Sequence, residues 1–116
     1  MARRRLLTRE ALSGHYDPPT DEREIARHFT LSREDLDLVV ERRGAASRLG
    51  FALLLLYMRW PGRVLEESER PPTTILAFVA DQISVQATAF DDYARRDETR
   101  RTHLADIMRR FGHTAF

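Results

Sequence analysis

The chain has no cysteine and no lysine. The first absence excludes disulfides and thiolate metal sites and favours a reducing compartment. The second means that all nineteen basic residues are arginine. A guanidinium makes bidentate contacts to phosphate and guanine that an ammonium cannot copy, although GC-rich codon usage would leave the same mark. Long apolar runs are missing too. The longest, FALLLLYM over 51–58, has eight residues, against the ~20 needed to span a bilayer, so no membrane partner is expected. The opening MARRRLLTRE carries basic residues without an apolar stretch behind them, so no secretory signal is expected. No segment keeps a period-two alternation, and no hairpin turn is flanked by strand-like runs, so sheet is not expected.

What is present is a 116-residue chain, 42% hydrophobic and 32% charged. That suits one globular domain with a single core. The net charge of +1 conceals strong segregation. Counting Arg against Asp and Glu, the chain runs +3 over 1–16, −5 over 17–41, +5 over 42–63, −5 over 64–94 and +3 over 95–116. The net value alone argues against nucleic acid; the pattern does not.

Every segment reads as helix, giving an all-α, compact fold of about six helices with helix-turn-helix-like pairs around a buried central helix. Residues 1–7 read as a flexible basic arm, with Arg3, Arg4 and Arg5 either free in solvent or reaching a minor groove. A short helix at Thr8–Ser13 would end at Gly14. Thr20 is a good N-cap for a helix to about Phe29. Ser32, with Asp35 three residues on, begins the next. Its last turn would hold Arg42 and Arg43, with Gly44 just beyond. The central helix, about 45–59, is apolar all round and so must be enclosed by neighbours. Pro72 opens a helix through about Ile83, Ala87–Tyr93 forms a short one, and Asp97 to Phe111 the last, stopped by Gly112.

Three arrangements bear on function. In the first, Ile25, Ala26, Leu31, Ser32, Leu36 and Val39 have helix-turn-helix spacing, with Ala26 small for a close crossing and Leu31 plugging the turn. The second helix would present Arg33 but also Glu34, Asp35 and Asp37, which repel phosphate. In the second, the stretch from Arg42 to Arg63 holds Arg42, Arg43, Arg48, Arg59 and Arg63 with no acid. In the third, Leu104, Ile107, Met108 and Phe111 share one face of the last helix, with Arg96, Thr99, His103 and Arg110 on a neighbouring face and Arg100 and Arg101 beside the apolar line. That stripe suits phosphates or a groove. Trp60 would close the core. His15, His28, His103 and His113 are scattered, and no HExxH, CxxC, GxSxG or Walker sequence occurs. No catalytic residue, metal, cofactor or small-molecule substrate is therefore expected.

The segments RRRLLT, TDEREIARHFTLSREDLDLV, RRGAASRLGFALLLLYMRWPGR, PPTTILAFVADQI and AFDDYARRDETRRTHLADI resemble, in order and over nearly the whole chain, the N-terminal region of the Tn-three family of replicative transposases (TnpA proteins). The resemblance implies binding to the terminal inverted repeats of a transposon. It also implies that strand-transfer chemistry belongs to a distant RNase H-like domain that this chain does not contain. The expected partner is double-stranded DNA at transposon ends, in a bacterial cytoplasm at the nucleoid. Arg42, Arg43, Arg48, Arg59 and Arg63 are the first-rank contacts, and Arg96, Arg100, Arg101, His103 and Arg110 the second. The rival is an assembly module that docks other transposase domains or a second copy and has no DNA affinity of its own.

Overall fold

The computed structural model describes residues 21–111 apart from 61, 67 and 68. The expected basic arm and the helix at Thr8–Ser13 lie outside the described residues, as does Gly112. Among the described residues there are six helices and no strand: α1 (Glu22–Phe29), α2 (Arg33–Val40), α3 (Gly44–Arg59), α4 (Thr73–Gln82), α5 (Ala89–Tyr93) and α6 (Asp97–Phe111).

Helix α3 is the axis of the fold. Leu49 and Phe51 to Leu54 are fully buried, and its neighbours α2, α4, α5 and α6 all pack on it. A helix apolar on every side is stable only when enclosed in this way. Gly50 has a specific use. A Cβ there would stand 2.2 Å from the Tyr93 ring, so only glycine lets α5 lie against the α3 backbone.

Helix α2 begins as its sequence requires. The Ser32 side chain accepts from the Asp35 N–H, and the Asp35 carboxylate accepts from the Ser32 N–H, closing a capping box. Its end differs from expectation. It stops at Val40 with Glu41 as cap, so Arg42 and Arg43 lie beyond it rather than in its last turn. Gly44 has φ +86°, as a glycine after a helix would, yet it opens α3. At the other end of the pair, α1 starts after Asp21 rather than Thr20.

Leu31 is buried in the α1–α2 turn, as its spacing predicts. Gln82 of α4 clamps that turn: its Oε1 accepts from the Leu31 N–H at 2.7 Å and its Nε2 donates to the Phe29 carbonyl at 2.8 Å. Ala26 does not sit at a close crossing of α1 and α2. It is exposed and lines a groove between α1 and α4.

Helix α6 is rotated from the orientation its apolar residues predict. His103, Asp106 and Ile107 face inward, while Met108 and Phe111 are 42% and 47% exposed. The reason is that its neighbours supply polar partners. The Tyr93 hydroxyl lies 2.8 Å from His103 Nδ1, and Phe51 meets the imidazole edge-on. Satisfied polar groups can occupy positions that a hydrophobicity ranking assigns to solvent.

Candidate nucleic-acid interface

Arginines gather where the α2–α3 turn meets the C-terminal half of α6. Arg42 is mostly enclosed. Its guanidinium lies 4.3 Å above the Phe51 ring, donates to the Leu38 carbonyl, and pairs with Asp106 at 3.3 Å and Glu41 at 3.3 Å. Arg48 reaches back from α3 and donates to the carbonyls of Arg42 (2.9 Å) and Val40 (3.0 Å). It latches the turn rather than standing out from it. Arg43, the next residue after Arg42, is exposed and has no ion pair with any described residue. It is also the N-cap of α3, where no side chain caps the first amides. Those amides carry the positive end of a sixteen-residue helix.

From α6, Asp106 receives Arg109 and also Arg110, whose Nε lies 3.2 Å from both carboxylate oxygens. Three guanidiniums therefore share one carboxylate that is only 10% exposed. Arg109 itself is 71% exposed. Arg109 is absent from the contacts expected from sequence. The signal was available, since Asp106 stands three and four residues before the two arginines, the spacing of helix neighbours.

The remaining candidates do not pair with Asp106, although Arg59 borders the cluster: it lines a cleft with Arg110 and lies 5.8 Å from the centre of the Phe111 ring. At the far end of α3, Arg59 makes a two-pronged pair with Asp35 at 2.8 and 3.0 Å. Burial pushes the Asp35 carboxyl upward, but the bonds from Arg59 and the Ser32 amide outweigh it and hold the group below its ordinary range. Arg63 forms a two-pronged pair with Glu69 and lies over the Tyr57 ring. Arg100 is 17% exposed and donates to the Leu65 carbonyl. Arg96 pairs with Asp92, and Arg101, 70% exposed, pairs with Asp97. His103 does not stand on a surface stripe at all: it is 5% exposed. Burial, with help from Arg42, lowers its pKa to about 4, so the ring is neutral at pH 7. Trp60 is half-buried and stacks on His28 with ring centroids 3.7 Å apart.

Among the described residues no group of three or more metal-ligating side chains converges. No helix there is long and apolar enough to cross a membrane. The fold and this site define a small helical domain with a cationic face organised around a buried carboxylate. The chain belongs to the family described as a domain of unknown function, DUF4158, which matches residues 6–116. It is 37% identical over all 116 residues to the transposase for transposon Tn21 of Escherichia coli, and equally to that for Tn3926. It is 33% identical over 113 residues to the transposase for transposon Tn1546 of Enterococcus faecium. The chain spans 12% of the length of the first two and 11% of the third.

Proposed function

We propose that this chain is a non-catalytic transposase domain that binds duplex DNA at the terminal inverted repeats of a transposon and positions a larger transposase there. The observation that supports this best is the Asp106-centred cluster. Arg42, Arg109 and Arg110 surround one carboxylate, Glu41 pairs with Arg42 and Arg110, and Arg43, which has no ion pair with any described residue, adds a further charge at the start of α3. Such an excess of guanidiniums suits phosphate oxygens. Affinity would come from release of counterions, and register from one or two arginines at base edges. Arg59 and Arg63, each matched to its own carboxylate, are the weakest of the proposed contacts.

Binding is tested by fluorescence anisotropy on a duplex carrying the inverted repeat of the parent element, against scrambled DNA, over a salt series. Preference for the repeat with a steep salt dependence is the expected result. No binding at low salt would remove this reading in favour of the assembly module. That second reading has its own support in the groove between α1 and α4. Ala26 and Ala77 are exposed there, beside Glu22 and Asp81, which have no ion pair with any described residue. Small residues and unmatched acids suit a basic helix of another transposase domain or of a second copy.

A further inference from the structure

We infer that Asp106 is a positioning residue for the DNA-binding face: it holds Arg42, Arg109 and Arg110 in place although its own charge opposes the duplex. The inference rests on the DNA-binding reading above. A carboxylate beside a polyanion costs Coulomb energy, and a surface shaped only for attraction would lack it.

The geometry shows what it does instead. Asp106 lies behind the cations, with its side chain 10% exposed, while Arg109 and Arg110 are 71% and 40% exposed. Each guanidinium has five N–H donors. Asp106 engages one edge of Arg110 through Nε and one terminal nitrogen of Arg109; Arg110 Nη2 also lies 4.0 Å from Glu41, and the other donors of Arg109 face solvent. Both side chains are long and would otherwise lose rotamer freedom only on meeting DNA. They would also repel one another. On the opposite side, the Asp106 contact to Arg42 ties α6 to the α2–α3 turn. Arg48 holds that same turn from α3. The turn carries Arg43 and leads into the uncapped start of α3. One carboxylate thus fixes the exposed cations of α6 relative to those of the turn.

The inference reverses the sign expected from charge alone. Asp106→Asn removes a negative charge from the face, so Coulomb attraction predicts tighter binding. Loss of positioning predicts weaker binding. Glu98→Gln is the control for charge, because Glu98 is exposed on the same helix and has no ion pair with any described residue. Anisotropy titrations on the repeat duplex, with thermal melts of each protein, separate the two. Glu98→Gln is expected to bind at least as tightly as wild type, and Asp106→Asn about tenfold more weakly, the usual scale for losing a preorganised charged contact. Asp106→Asn binding as tightly as Glu98→Gln would overturn the inference. If Asp106→Asn does not melt cooperatively, Asp106→Glu decides. It keeps the charge and displaces the carboxylate by one methylene, so a several-fold loss is expected and wild-type affinity would overturn the inference. A wild-type protein that binds no duplex would instead fail the DNA reading itself, a result that neither substitution can mimic.

Discussion

The two ends of α3 use arginine in opposite ways. At the far end Arg59 meets Asp35 one to one, with two short bonds. At the near end Asp106 is shared by three arginines, and the adjoining Arg43 has no ion pair with any described residue. The first arrangement is a fastener. The second leaves cationic edges toward solvent. Both ends read alike in sequence, since each is an arginine-rich border of one apolar helix. The ratio of guanidiniums to carboxylates within reach decides which border can serve a phosphate, and only the packing of α2 and α6 sets that ratio.

The largest expected effect tests whether α3 fixes the two ends independently. Gly50→Ala drives a methyl into the Tyr93 ring. Overpacking of this kind costs about 3 kcal/mol, read as a lowered denaturant midpoint. It should loosen α5 and α6, and with them the Asp106 cluster. An unchanged midpoint would show that Tyr93 moves aside and that Gly50 does not set the approach of α5.

Next come the fasteners. Arg59→Ala leaves the buried Asp35 without its cation and should cost about 2 kcal/mol of stability, with little change in DNA affinity. Arg42→Ala should lower both stability and affinity, because the same side chain packs on Phe51 and ties the turn to α6. Equal affinity losses for the two variants would erase the distinction between the ends. Arg42, expected from sequence as a first-rank DNA contact, is mostly enclosed in the fold.

Acid should act on the cluster end first. The folded state holds His103 neutral down to about pH 4, whereas an unfolded chain protonates it near 6.5. Between those values the unfolded state binds the extra proton, so stability rises with pH and is lost as pH falls through the window. The loss should reach about 2 kcal/mol by pH 4.5, measured by urea unfolding at pH 7 and pH 4.5. Asp35 has a carboxyl held below its usual range, so its contribution persists through this window and fades only at lower pH. A flat profile from pH 7 to 4.5 would mean that His103 is charged in the fold.

The smallest effect on the fold belongs to Arg43→Ala. Its melting temperature should stay at the wild-type value, since the side chain is exposed and has no ion pair with any described residue. The salt dependence of DNA binding should become shallower by about 0.9 in log–log slope, the value for one phosphate contact. An unchanged slope would take Arg43 out of the interface.

Much of the fold was legible because it depends on local pattern. The apolar run over 51–58 could only be an enclosed helix. Ser32 and Asp35 announced their capping box by spacing, and Leu31 its place in the turn. The orientation of α6 was not legible. Sequence ranks histidine and aspartate as surface residues, and nothing in the local pattern says that Tyr93 and Arg42 wait to receive them. For the same reason the arginine count marked one stretch of chain without separating Arg43 from Arg48 or Arg59. Arg109 stands about 100° around the helix from Arg110, off the face that carries Arg96, Thr99 and His103.

The sequence by itself determined the helices, the buried axis and the concentration of guanidinium near it, because propensity, capping and hydrophobic period act over a few residues. The tertiary structure decided which arginines are latches and which face solvent. Charge pairing depends on groups far apart in the chain, such as Arg42 with Asp106 and Asp35 with Arg59. Their distances exist only once α2 and α6 have packed on α3.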